Sequence, residues 1–263
     1  MASLAETGHR TDERYYEVAA PHSLGERLVI AARDRIYADF LRCCHPSATD
    51  TILDVGVSDV VGDGANMMER KYPHQHRITA AGLGDGEAFR AAYPQAAYRR
   101  IEANRPLPFA DRSFDIAVSN AVLEHVGSRD NQAAFVGELA RVAKKAFISV
   151  PNRYFPVEHH TAIPLLHFWT RSFAFACRRL GKAEWADEAN LILMSRQSLA
   201  ALAPCGPAPR IGTTGIGLGP FSSNLYLLID GSRPVTGGIG LGEAGQVGPE
   251  GHQVLAAQGV PPI

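Results

Sequence analysis

Two short blocks, Glu124-His125 and Glu158-His159-His160, hold the side chains best suited to proton chemistry. Histidine titrates closer to neutral pH than any other side chain, so His125, His159 and His160 are candidates to accept a proton from an acidic oxygen or nitrogen. Glu158, His159 and His160 also invite a metal reading. Adjacent residues do not readily aim at one ion and no third ligand is evident, so no metal site is expected. The plain alternative for His125 is a hydrogen bond that ties down a loop. For His159 and His160 it is a solvated loop.

A third stretch, Asp50 to Gly64, has the form of a ligand cradle. The apolar run Thr51 to Val55 ends in Gly56 and a polar turn, and Ala65 to Tyr72 follows with helical composition. A buried parallel strand feeding a tight turn and a helix gives this pattern, and glycine lets the backbone bend and a ligand approach. Such a unit alone assigns no function, because a strand ending in glycine also occurs in folds that bind nothing.

The whole chain must be able to position these residues. Its 263 residues suit one α/β domain with appendages, and an apolar content of 46% is enough for a sizeable core. A net charge of −1 argues against general attraction to nucleic acid or anionic membrane. Cys43, Cys44, Cys177 and Cys205 contain no Cys-x-x-Cys pair, which removes the usual zinc and thioredoxin-like patterns and suits idle thiols in a reducing compartment. No apolar signal core and no membrane-spanning stretch is evident, so a cytoplasmic protein is expected.

Ser23, with Glu26 as a capping-box partner, is expected to start a helix over Leu24 to Arg42 that packs on a sheet or closes a ligand cleft. Short apolar strands follow at His76–Gly82, Ala97–Ile101, Phe114–Ser119 and Lys144–Val150, with helices at Asp85–Ala92 and Asn131–Val142. This alternation predicts an α/β, doubly wound, mostly parallel sheet with helices on both faces. Further helices are expected at Thr170–Leu180 and Ser195–Leu202, then a closing hairpin from Pro209–Gly219 and Ser222–Ile229. The division is a flexible N-terminus at 1–22, a domain at 23–230 with a cap insertion at 153–205, and a disordered Gly- and Pro-rich tail at 231–263. Tyr154, Phe155, Leu165, Leu166, Phe168, Trp169, Phe173 and Phe175 form an apolar set near Arg171, Arg178, Arg179 and Lys182. Core packing on the sheet explains it; a cap for an apolar or aromatic ligand and a peripheral membrane patch are the alternatives.

The block Leu107-Pro-Phe-Ala-Asp-Arg-Ser-Phe-Asp-Ile-Ala-Val-Ser-Asn-Ala-Val-Leu-Glu-His-Val126 resembles the class I S-adenosylmethionine-dependent methyltransferases, notably their small-molecule group. Asp50–Gly56, Glu138–Val142 and Phe147–Asn152 resemble the same family at suitable spacing. The resemblance implies a Rossmann-like seven-stranded sheet with an antiparallel last strand. It implies S-adenosyl-L-methionine as cofactor, with Asp54, Gly56, Asn120 and Ala121 at its methionine and sulfonium portions. Three positions depart from the family. The turn reads Gly56-Val57-Ser58-Asp59, leaving Ser58 to make the bend. Ala80, Ala81 and Gly82 replace the acid that grips the ribose, with Asp85 the nearest carboxylate. Ala103 stands at the adenine-side Asp, flanked by Glu102 and Asn104.

The expected function is methyl transfer to a small-molecule acceptor by in-line displacement, with His125 and His160 as catalytic residues. The alternative is an inactive methyltransferase-fold protein that serves as a binding or partner subunit.

Overall fold

The apolar runs pair side by side as one sheet in the computed structural model, which describes residues 24–59, 65–204 and 208–232. The strands are β1 (Ile52–Val55), β2 (Ile78–Gly82), β3 (Ala97–Arg100), β4 (Phe114–Asn120), β5 (Ala143–Pro151), β6 (Arg210–Leu218) and β7 (Phe221–Asp230). Their order is β3-β2-β1-β4-β5-β7-β6. β1 to β5 pair in parallel, and β7 runs antiparallel to both β5 and β6. This is the doubly wound, Rossmann-like sheet expected from the alternating pattern, with the closing hairpin supplying the reversed strand.

Side-chain alternation along the strands divides the core into two layers. Ile52, Ile78, Ile116, Val118 and Phe147 face one side, with α1 (Leu24–Cys44), α2 (Met67–Lys71) and α3 (Glu87–Ala92) over them. Leu53, Val55, Ala117, Ile148 and Val150 face the other, covered by α4 (Arg129–Val142) and α6 (Arg196–Ala200). Ser128 caps α4 by accepting from the Asn131 amide, and Ser195 and Ser198 form a capping box on α6.

The Leu107–Asp111 block is fastened to α4. Glu138 accepts from the Leu107 amide at 2.7 Å, while Arg141 donates to the Leu107 and Phe109 carbonyls and pairs with Asp111. The apolar set after β5 behaves differently from expectation. Phe173 joins a satellite cluster with Ile163, Ala176, Cys177 and Leu191 rather than the sheet, and α5 (Thr170–Arg179) carries part of it. Tyr154, Leu165, Trp169 and Phe175 are exposed, because this segment folds over itself before the chain returns to the sheet.

No helix among the described residues is long and apolar enough to cross a membrane. The expected flexible N-terminus, the Ser23 cap, the Glu26 side chain, the tail from residue 233 onward and Cys205 lie outside what is described.

Candidate active site

Parallel α/β sheets bind ligands beyond the carboxyl ends of their strands. Here a cleft of about 1100 Å³ opens at the ends of β1, β2, β4 and β5. That is at the upper limit of ordinary small-molecule pockets, roughly 300–1,000 Å³, and leaves room for two ligands. Helix α1 packs on the sheet and also borders the cleft. Ile36, Phe40, Cys43 and Cys44 are buried in the core, while Leu28, Val29, Ala32 and Arg33 toward its start line the cleft.

At the β1–β2 end the glycine turn is fixed by the chain itself. Gly56 has φ +101°, and a Cβ there would stand 2.1 Å from Val122 Cγ2. The Gly56 amide donates to the Ala81 carbonyl at 2.8 Å. Ser58 is buried and exchanges two hydrogen bonds with the side chain of Asn66, at 3.0 and 2.8 Å. Asp59 accepts from the amides of Gly86 and Phe89, binding the turn to α3. Beneath it, burial pushes the Asp54 carboxyl up to about 7. Burial and the charge of Asp54 push Glu69 well above the usual range. Neither oxygen of Glu69 has a hydrogen-bond partner among the described residues.

The β4–β5 end is more polar. Asn120 closes β4 and its Oδ1 accepts from Ser149 Oγ at 2.6 Å. Ala121 then takes φ +56°, an uncommon conformation for a residue with a side chain, and turns the chain into the short 3₁₀ segment Leu123–His125. Glu124 is 1% exposed with neither carboxylate oxygen hydrogen-bonded among the described residues, and burial raises its pKa to about 7. His125 Nδ1 lies 2.7 Å from the Asn190 carbonyl, which can only accept, so that nitrogen carries the proton. Burial and neighbouring His160 push the His125 pKa down to about 3, keeping the ring neutral.

His160 reaches the same place from the loop after β5. Its Nδ1 donates to Glu158 at 2.8 Å, and its ring stacks on Trp185 and meets His125 edge-on, both at 4.9 Å between centroids. Burial alone would raise the Glu158 pKa. Hydrogen bonds from His160 and from the Thr161 amide and hydroxyl outweigh burial and hold it down to about 2. For His160 itself, the Glu158 contacts outweigh burial and raise the pKa. His159 packs against Phe155 and is held neutral by burial, its pKa near 4.

The sequence-derived residues therefore separate. Gly56, Glu102, Asn104, Asn120, Ala121, His125 and His160 line the cleft, and His159 joins them. Asp54 and Ser58 lie buried behind the glycine turn, and Asp85 is on the surface, paired with Arg100 at 2.7 Å. None of these three lines the cleft. His160 was weighed against its neighbour His159 as a metal pair, but its companions in space are His125 and Glu124. Sequence reasoning missed Trp185 and the Asn190 carbonyl, which lie in an irregular segment with no motif. The two Glu-His pairs were the one available signal that distant segments converge.

Residues 53–147 match the family model of the methyltransferase domain. The chain also shares its fold with solved structures. One is the PH0226 protein of Pyrococcus horikoshii, 12% identical over 84% of this chain and 97% of that one, TM-score 0.52. Another is a chain described as a Zn-dependent alcohol dehydrogenase of Rhodobacter sphaeroides, 10% identical over 83% and 96%, TM-score 0.52. A third comes from the Haloferax volcanii complex of the Trm112 methyltransferase activator with a methyltransferase, 13% identical over 82% and 96%, TM-score 0.50. At these identities the structures speak for the fold alone. No curated protein matches the sequence significantly. The match over residues 53–147 and the seven-stranded sheet support a methyltransferase domain of the class I, Rossmann-like fold in this part of the chain.

Proposed function

We propose that the cleft binds S-adenosyl-L-methionine beside Gly56, Glu102, Asn104, Asn120 and Ala121, and a small-molecule acceptor beside His125, His160 and Phe155. The observation that carries this reading is one continuous cavity joining the glycine turn to the paired histidines. The residues suit the cofactor in shape and in part in chemistry. The turn borders the cavity at Gly56, Glu102 and Asn104 offer polar groups on one wall, and Asn120 stands at the end of β4. When bound, the cofactor supplies an electrophilic methyl group on a sulfonium.

The chain's part is alignment and proton handling. Holding two reactants in line can lower a barrier by roughly 7–11 kcal/mol. The acceptor's proton would be taken at Nε2 of His125 or His160, since Nδ1 of each is committed to Asn190 or Glu158. Phe155 and Val157 make the acceptor side partly apolar, which favours an apolar or aromatic molecule. The absence of an acid in the Ala80–Gly82 stretch favours a second reading, an inactive binding subunit.

Thermal unfolding with excess S-adenosylhomocysteine, checked by calorimetric titration, decides between them. Ligand at about 100 times its Kd adds roughly 2.7 kcal/mol, which raises Tm by about 5–10 °C in a domain of this size. No shift and no heat at millimolar ligand would remove the methyl-transfer reading.

A further inference from the structure

We propose that Glu124, His125 and His160 form a binding site for one divalent transition-metal cation at the acceptor end of the cleft. One ligand atom from each of the three lies within 4.8 Å of the other two, and His125 Nε2 stands 4.0 Å from Glu124 Oε1. Ions of this kind hold nitrogen and oxygen ligands at about 2.0–2.2 Å. Ligand atoms on one ion then sit about 3–4 Å apart, so small side-chain rotations close the set.

Three further features point to a cation rather than to chance proximity. A histidine that binds metal through one nitrogen commonly donates its other N–H to a carboxylate or backbone carbonyl, which fixes the tautomer and the ring. Both histidines have this support, His160 from Glu158 at 2.8 Å and His125 from the Asn190 carbonyl at 2.7 Å. The supporting carboxylate is itself fixed by the Thr161 amide and hydroxyl, each at 2.6 Å. Glu124, 1% exposed, has two carboxylate oxygens without a hydrogen-bond partner among the described residues, and a buried carboxylate is unfavourable unless something compensates it.

Two imidazoles and one carboxylate suit Zn²⁺, Mn²⁺ or Fe²⁺ and leave coordination positions open, as catalytic sites do. His125 and His160 line the cleft, so a bound ligand reaches those positions from the acceptor side. If the methyl-transfer reading holds, a bound ion would occupy Nε2 of both histidines and replace them as the group that favours loss of the acceptor's proton, and the site selects acceptors that offer an oxygen donor, a hydroxyl or a carboxylate. The cation site itself does not depend on that reading.

The test uses the full chain, treated with EDTA, desalted and titrated by calorimetry with ZnCl₂ and separately with MnCl₂. One ion per chain is expected, with at least tenfold weaker binding in Glu124→Gln and in His160→Ala. A second measurement on the unaltered chain covers variants that fail to fold. Substoichiometric Mn²⁺ should broaden the NMR ring signals of His125 and His160 before those of His74 and His76, a pair 6.1 Å apart outside the cleft. No binding at millimolar ion, or broadening centred on other histidines, overturns the site. S-adenosylhomocysteine is titrated in parallel. An ion bound without it removes the methyl-transfer reading and keeps the cation site, and the converse result does the reverse.

Discussion

At the β1–β2 end of the cleft the polar groups that follow the glycine turn point into the chain and are engaged by it, whereas at the β4–β5 end several face the cavity. Ser58 is bonded to Asn66, Asp59 to the start of α3, and Asp85 to Arg100. At the other end Asn120, His125 and His160 line the cavity, and Glu124 adjoins it without a hydrogen-bond partner among the described residues. The difference teaches that a recognisable motif and a concentration of chemistry need not coincide. The glycine-turn end contributes mainly shape, while the block that closes β4 supplies Asn120, Glu124 and His125 and the segment after β5 adds His160.

The largest expected effect tests whether shape at the first end matters. Gly56→Val puts a branched side chain at φ +101° and into Val122. S-adenosylhomocysteine affinity should fall by more than about 100-fold, nearly 3 kcal/mol, with circular dichroism confirming a folded chain. Affinity within a factor of two of the unaltered chain would mean that the cofactor does not rest on this turn.

The second effect sharpens the other side of the comparison. Glu158→Gln removes the charge and one of the two acceptor oxygens that gather His160 and Thr161, and hydrogen bonds to a charged group each contribute about 1.5–3 kcal/mol. A loss of about 3 kcal/mol, or roughly 6–12 °C in Tm, is expected in calorimetry, with the His160 ring losing its fixed tautomer. An unchanged Tm would show that this carboxylate is not what holds the acceptor loop.

Much of the fold was legible because its strands are short apolar runs bounded by glycine, proline and charge. β1, β4 and β5 lie within about a residue of the expected bounds. The hairpin was legible for the same reason. The site was legible only where a motif fixes residues next to a strand end, as for Gly56, Asn120, Ala121 and His125. Asp54 and Asp85 could not be placed from sequence. Asp54 falls behind the turn by strand alternation, and Asp85 is turned outward by its pairing with Arg100. The meeting of His160 with His125 depends on how residues 152–190 fold back over the sheet, through contacts such as Arg153 to Met194 and Lys182 to Thr161. No local periodicity encodes such long-range contacts.

The smallest effect separates the two ends by pH. Asp54 and Glu69 are buried acids whose pKa values lie above their usual 3.8 and 4.5, Asp54 reaching about 7. A carboxyl that holds its proton more tightly when folded contributes stability fully present below the unfolded pKa and lost as pH rises through the folded one. Stability at this end should therefore decline between about pH 4 and pH 7. Glu69→Gln removes one of the two charges and gives Asp54 a neutral neighbour. The fall in Tm from pH 5 to pH 8 should shrink by about 2–8 °C, equivalent to about 1–2 kcal/mol. The same measurement on Asp85→Asn, an exposed carboxylate at this end of the sheet, should follow the unaltered chain. If Glu69→Gln also keeps the original pH profile, the decline does not arise from the buried pair. The contrast between a desolvated acid pair behind the glycine turn and a well-bonded Glu158 across the cleft would then no longer stand.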